Sequence, residues 1–208
     1  MDKGLEEIST MLLRMGDLAK ETVALSIRNF LDGKDVSEEI HSRSETLGGM
    51  SIDIEDKVFE LIAKYQPVAS DLRTIKSHMK IAYDLERYGR YAWDISFIQQ
   101  MLTKHEQCEH FETQVEVMAE KVTEMVNTSI KVLRDYDVEL AKTLADSEKE
   151  VDSIYLHYLL QITKTLPATS CAVCDLLVVR YLERIADHAA YVGESVIYIV
   201  TGQKILLR

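Results

Sequence analysis

Glu183 and Asp187 stand four residues apart, and Glu148 and Asp152 repeat the spacing. On a helix, residues four apart share a face, one turn from each other. Each pair therefore sets two like charges side by side, which weakens an isolated helix slightly. A multivalent cation held between two such pairs would reverse that penalty. Oxygen-only donor sets favour hard ions: magnesium, calcium, manganese or iron. Glu194, seven residues beyond Asp187, continues the stripe. His188 is rotated off it, as an outer ligand or a group that orients one. The bland alternative is a solvated acidic face balanced by neighbours such as Arg184, and spacing alone does not separate the two.

The elements that would carry these groups are helices. Ile8, Met11, Leu12, Met15, Leu18, Ala19 and Leu25 recur at intervals of three and four, which is one apolar stripe. The stripe stops at Asp32-Gly33-Lys34, where Gly33 suits a helix C-cap. A second helix is predicted from about Val36 to Tyr65, weakened or bent at Gly48-Gly49. Pro67 marks a turn, tolerated in a first helical turn, and a third helix follows to about Leu102. The polar stretch Thr103 to Glu109 reads as a connection. A fourth helix carries Val115, Met118, Ala119, Val122, Met125, Val126, Ile130 and Leu133. A turn at Asp135-Tyr136-Asp137 leads to a fifth helix ending near Leu166. After Pro167, a sixth spans about Thr169 to Val200. No segment alternates with period two, so no strand is predicted.

This order occurs twice. Asp84-Leu85-Glu86-Arg87-Tyr88-Gly89-Arg90-Tyr91-Ala92 aligns with Tyr181-Leu182-Glu183-Arg184-Ile185-Ala186-Asp187-His188-Ala189, and Ile52-Asp53 aligns with Val151-Asp152. A repeat of this kind implies two similar units. The fold expected is all-α: six long helices in two tandem, pseudo-symmetric three-helix bundles, residues 1–104 and 105–208. The first copy has lost half of each carboxylate pair. Glu86 is followed four residues later by Arg90, and Asp53 is preceded four residues earlier by Gly49. Arg90 is expected to satisfy Glu86 and Asp53 without a metal.

Composition narrows the function further. The 208 residues carry a net charge of −11, a sign that opposes nucleic acid and anionic lipid. The N-terminus does not read as a signal peptide, and no apolar run approaches the roughly 20 residues of a membrane span. Three cysteines without export signals suit a reducing cytosol. Cys171 and Cys174 sit near a helix start, a place that can lower a thiol pKa, but the packing alternative is a pair of small core thiols. Tyr88, Tyr91, Trp93 and Phe97 read as interhelical packing. A ferritin-like enzyme would need Glu-x-x-His on two helices, and only Glu38 and His41 have that spacing. No nucleophile elbow or phosphate-binding glycine loop occurs.

Leu182 to Ala189, followed by Glu194 and Ile197-Tyr198-Ile199-Val200-Thr201-Gly202, resembles the last helix of PhoU proteins. Gln66-Pro67-Val68-Ala69-Ser70-Asp71-Leu72-Arg73 resembles the opening of their third. The resemblance covers nearly the whole chain. It implies a non-enzymatic, cytoplasmic negative regulator of the high-affinity phosphate ABC transporter and of phosphate-starvation signalling. It implies as partners the transporter ATPase subunit and a sensor histidine kinase, a homodimer, and peripheral membrane location through the transporter. It also implies bound metal (iron, zinc, manganese or magnesium) held by Glu148, Asp152, Glu183 and Asp187, with His188, Glu194, Asp53 and Glu86 as further candidates. Because Asp53 and Glu86 match only half of their motifs, metal is expected mainly in the C-terminal bundle. The alternatives are an accessory regulator of a different phosphate transporter and a carboxylate-metal enzyme.

Overall fold

The computed structural model describes residues 1–103, 112–164 and 169–207. Six helices account for almost all of them: α1 (Asp2–Asp32), α2 (Ser37–Tyr65), α3 (Ala69–Thr103), α4 (Glu112–Asp135), α5 (Val138–Lys164) and α6 (Ser170–Thr201). No strand occurs among the described residues. The expected turn at Pro167 and most of the connection after Thr103 lie outside them.

Local chemistry sets the helix ends. Gly33 and Gly202 follow α1 and α6 in the left-handed region, with φ of 68° and 74°, where glycine meets no Cβ penalty. The Thr169 hydroxyl caps α6 by accepting from Ala172 N at 3.2 Å. Asp137 caps α5 by accepting from Leu140 N at 2.9 Å. Two expectations need adjustment. Pro67 precedes α3 instead of lying in its first turn, and the chain reverses at Gln66, which takes a left-handed φ of 47°. And α2 is continuous through Gly48 and Gly49. No atom lies within 4 Å of where a Cβ would stand at either glycine. Leu47 and Ile54, both fully buried, anchor the helix on either side of them. Tertiary burial has overridden the weak local propensity.

Helices α1, α2 and α3 pack pairwise, and so do α4, α5 and α6. Between the two groups α1 lies on α4 and α3 on α6, the last being the most extensive pairing in the chain. The aligned segments bury matching positions: Leu85 and Leu182, Tyr88 and Ile185, Ala92 and Ala189. Fully burying a side chain of the leucine or isoleucine kind stabilises by about 1.5–3 kcal/mol, so these stripes are enough to seat the helices.

The α3–α6 seam is antiparallel. Arg73 Nε donates to Ile199 O at 3.3 Å, His188 Nδ1 lies 2.8 Å from Asp84 Oδ1, and Tyr91 stacks on Tyr181 with ring centroids 6.0 Å apart. In the sequence alignment Asp84 corresponds to Tyr181 and Tyr91 to His188. The pseudo-twofold relation therefore carries the Asp84–His188 pair onto the Tyr181–Tyr91 pair. Of the predicted aromatic cluster, Tyr88 is fully buried, and its hydroxyl meets Ser129 Oγ at 2.9 Å across the two bundles. Ser129 Oγ donates onward to Val126 O, which makes Tyr88 the donor in that pair. Trp93 is partly buried against the core and packs on His41 of α2, with centroids 4.5 Å apart.

The cysteines depart from expectation. Cys171 is disulfide-bonded, so the free-thiol reading holds for Cys174 alone. Burial first, and then the Asp175 charge, push the Cys174 thiol above its ordinary value, so the helix start does not activate it.

His78, buried in α3, meets Tyr136 OH at 3.1 Å through Nε2, while its Nδ1 has no partner among the described residues. Burial lowers its pKa from 6.5 to about 4. The fold therefore favours the neutral ring. The stability it contributes is fully present above pH 6.5 and is lost as pH falls through 4, about 3 kcal/mol in all. Urea midpoints measured between pH 7 and 4 should fall less steeply in His78→Gln, which cannot take up the proton. Parallel curves for the two proteins would show that this ring does not set the acid limb.

Candidate functional site

The α5–α6 seam positions the four carboxylates singled out by spacing. At Gly193 an added Cβ would stand 2.9 Å from Leu144 Cδ1 and 3.4 Å from Ala141 O, so the missing side chain lets α5 approach α6 closely. In this antiparallel register Asp152 lies within electrostatic reach of Glu183, and Asp187 follows one turn along α6. Glu148 is one turn before Asp152 on α5. Glu148, Glu183 and Asp187 retain only 4%, 6% and 7% of their surface, whereas Asp152 is exposed at the rim.

Burial raises the Glu183 pKa to about 7, with Asp187 and then Asp152 adding to the shift, and Arg180 and Arg184 opposing it. The arginines are the counter-ions. Arg180 Nη1 lies 2.6 Å from Glu183 Oε2, and Arg184 Nη1 donates to Asp187 Oδ2 at 2.9 Å. The first contact is an ion pair without hydrogen-bond geometry, for Glu183 Oε2 accepts no hydrogen bond among the described residues. Among those residues no three His, Cys, Asp or Glu side chains converge into a ready-made cation cage. The site thus combines crowded acids, arginines at the rim, and one buried oxygen with unused acceptor capacity.

The remaining candidates are not brought to this point. His188 turns into the α3 seam against Asp84, where its Nε2 and Asp84 Oδ2 have no hydrogen-bond partner among the described residues. Burial pushes the Asp84 carboxyl up, opposed by His188 and more weakly by Lys80. Glu194 accepts from Leu207 N at 3.0 Å and lies 3.6 Å from Lys80 Nζ. Asp53 is exposed on α2, and Glu86 is half-buried on α3. Arg90 forms no ion pair with either among the described residues, contrary to expectation; its charge acts on Asp94, one turn further along α3.

Sequence spacing did not find Arg180, although its place three residues before Glu183 signals a helical ion pair. Nor did it find Tyr91, whose hydroxyl accepts from Arg87 at 2.9 Å and from Arg184 at 3.4 Å. Burial alone would raise the Tyr91 pKa, but these two guanidinium hydrogen bonds outweigh it and bring the phenol below its ordinary value. Arg184 is thereby shared between the carboxylates and the α3 seam.

Comparison with known proteins agrees with the six-helix fold. The PhoU domain family matches residues 12–98 and 115–196. A phosphate-specific transport system accessory protein PhoU homolog of Clostridium acetobutylicum is 32% identical, over 98% of this chain and 95% of its own. One from Aquifex aeolicus is also 32% identical, over 97% and 93%. The crystal structure of PhoU from Pseudomonas aeruginosa superposes with a TM-score of 0.90 at 28% identity, covering 97% of this chain and 99% of that one. The phosphate transport system regulatory protein PhoU from Streptococcus pneumoniae, 24% identical with a TM-score of 0.87, shares the fold.

Removing Asp84 would strand the His188 Nδ1 in a buried seam. Asp84→Ala should cost about 1–3 kcal/mol of folding stability, seen as a lower urea midpoint with an unchanged slope. An unaltered midpoint would show that the buried pair adds nothing to the seam.

Proposed function

The chain belongs to the PhoU family, and from that premise we propose that it is a non-catalytic accessory regulator of a phosphate transport system, restraining high-affinity uptake and phosphate-starvation signalling. The observation that carries this reading is the likeness, over nearly the whole chain, to phosphate-specific transport system accessory proteins. The fold suits such a role, since long helices present extended faces to a partner and no cofactor loop or nucleophile constellation interrupts them. Its partners in this reading are the transporter ATPase subunit and a sensor kinase, met from the cytoplasmic side. No helix among the described residues is long and apolar enough to cross a membrane. A homodimer is part of the same reading.

The carboxylates are its regulatory or structural metal site. The fit rests on the donor chemistry described above: oxygen ligands, like charges crowded around Glu183, and a buried Glu183 Oε2 that, among the described residues, accepts no hydrogen bond beyond its ion pair with Arg180. Glu148, Asp152, Glu183 and Asp187 would hold the ion, with Arg180 and Arg184 swinging outward as its charge replaces theirs. Bound there, a hard divalent cation would supply charge neutralisation and tie α5 to α6.

Elemental analysis of the purified protein, beside a Glu183→Ala, Asp187→Ala double variant, tests the site. Stoichiometric metal in the parent and little in the variant is expected. Equal metal in both would remove these residues from the ligand set. Co-purification with the transporter ATPase tests the regulatory role separately, and a chain that never captures that subunit would contradict it.

A further inference from the structure

A cavity of about 250 Å³ lies where α3, α6 and the segment after α6 meet, away from the carboxylates. Three lysines line it: Lys76 and Lys80 from α3, and Lys204 from the returning segment. That segment is firmly placed. Gly202, at φ 74°, reverses the chain, and an added Cβ there would stand 3.2 Å from Arg73 Nη1. At the other end Leu207 is buried, its N–H held by Glu194 Oε1. A Cβ at Gly193 would come 3.2 Å from Leu207 Cδ1, so that glycine provides the notch in which Leu207 sits. With both ends of the segment fixed, Lys204 lines the same cavity as Lys76 and Lys80.

The charge balance at this place runs against that of the chain. The whole protein carries −11, yet three lysines and a single acid, Glu194, are among the residues that line this cavity. Glu194 is already engaged, by Leu207 N and by Lys80 at 3.6 Å. Neither Lys76 nor Lys204 forms an ion pair among the described residues; they share this with Lys3, Lys34, Lys64, Lys131 and Lys164, whereas Lys20, Lys57, Lys121, Lys142 and Lys149 each have an acid. Lys204 and Arg73 lie 5.8 and 5.9 Å from the Tyr198 ring centroid, which adds a fourth positive charge nearby. Like charges gathered without counter-ions repel, and an anion among them would turn that repulsion into attraction. The lining alone, three lysines against one glutamate, leaves a surplus of two before Arg73 is counted, which suits a multivalent anion better than chloride or a monocarboxylate. Ser77 adds a hydroxyl at the wall, and Tyr198, Ile205 and Leu206 give it an apolar side.

We propose that this cavity binds a phosphate group, either as inorganic phosphate or carried on a small phosphorylated metabolite. A phosphate monoester bears about −1.5 to −2 at neutral pH and offers three strong acceptor oxygens, the complement of a cavity lined by three lysines. The apolar wall suits an organic body in the second case. The inference stands on the cavity's own charge and construction and not on the metal site.

Calorimetric titration of chelator-treated full-length protein with inorganic phosphate and with AMP, at constant ionic strength, tests it apart from the carboxylates. One of the two should saturate a single site per chain. A Lys76→Gln, Lys204→Gln double variant, whose exposed positions leave the helices intact, should bind about tenfold more weakly or worse. In the parent, amide resonances of Lys76, Gly202 and Lys204 should move on titration. Tighter phosphate than AMP identifies the free ion, and the reverse identifies a metabolite. No saturation by either probe, a response matched by sodium chloride, or equal affinity in the double variant would overturn the proposal.

Discussion

A buried carboxylate facing a buried imidazole between α3 and α6 fixes how the two halves of this chain meet. Apolar stripes slide past one another at modest cost, because one leucine replaces another. Asp84 and His188 do not slide, since each is nearly inaccessible to water and either would be costly to bury without its partner. Their 2.8 Å contact therefore fixes one register. In that register Tyr91 meets Tyr181, Arg184 reaches the Tyr91 hydroxyl, and Glu194 comes within range of Lys80.

Helix α6 is enclosed on most of its circumference, and each side has a different chemical character. Toward α5 it shows Glu183 and Asp187, toward α3 it shows His188, and near its C-terminus Gly193 makes room for both Leu144 and Leu207. Arg184 links two of these sides, holding Asp187 while donating to Tyr91. Any change in charge at the carboxylates is thus felt by a residue that also belongs to the seam between the bundles. The same helix carries a crowded acidic face and, two turns on, a wall of a basic cavity, an arrangement that keeps opposite ions apart on one rigid rod.

Much of this was legible in the residues. Period and punctuation located all six helices, and Gly33 marked a true C-cap, taking the left-handed conformation as α1 ends. The four-residue spacing placed Glu183 and Asp187 on one face. What escaped were properties set by partners distant in the chain. Gly48-Gly49 reads as a weak point inside the second helix, and burial of Leu47 and Ile54 on either side anchors α2 there. Cys174 sits where a helix start could activate a thiol, but Asp175 and burial act the other way. Asp84 looked like repeat text until His188 appeared opposite it. The segment beyond Gly202 has no periodicity at all, so the burial of Leu207 and the cavity behind it left no sequence signal.

The duplication itself acquires a history from the seam. Asp84 and His188 occupy non-equivalent places in the two copies, and their symmetry mates are the two stacked tyrosines. Two identical copies of the first half, joined across the same seam, would set each Asp84 against a Tyr91. Two of the second half would set each His188 against a Tyr181. Neither combination contains the acid–base pair, so the present seam belongs to unlike halves only. A unit with Asp at the first of these positions and His at the second could have formed the pair twice; in the present chain each half supplies one partner, so neither half can be replaced by a copy of the other without losing the pair.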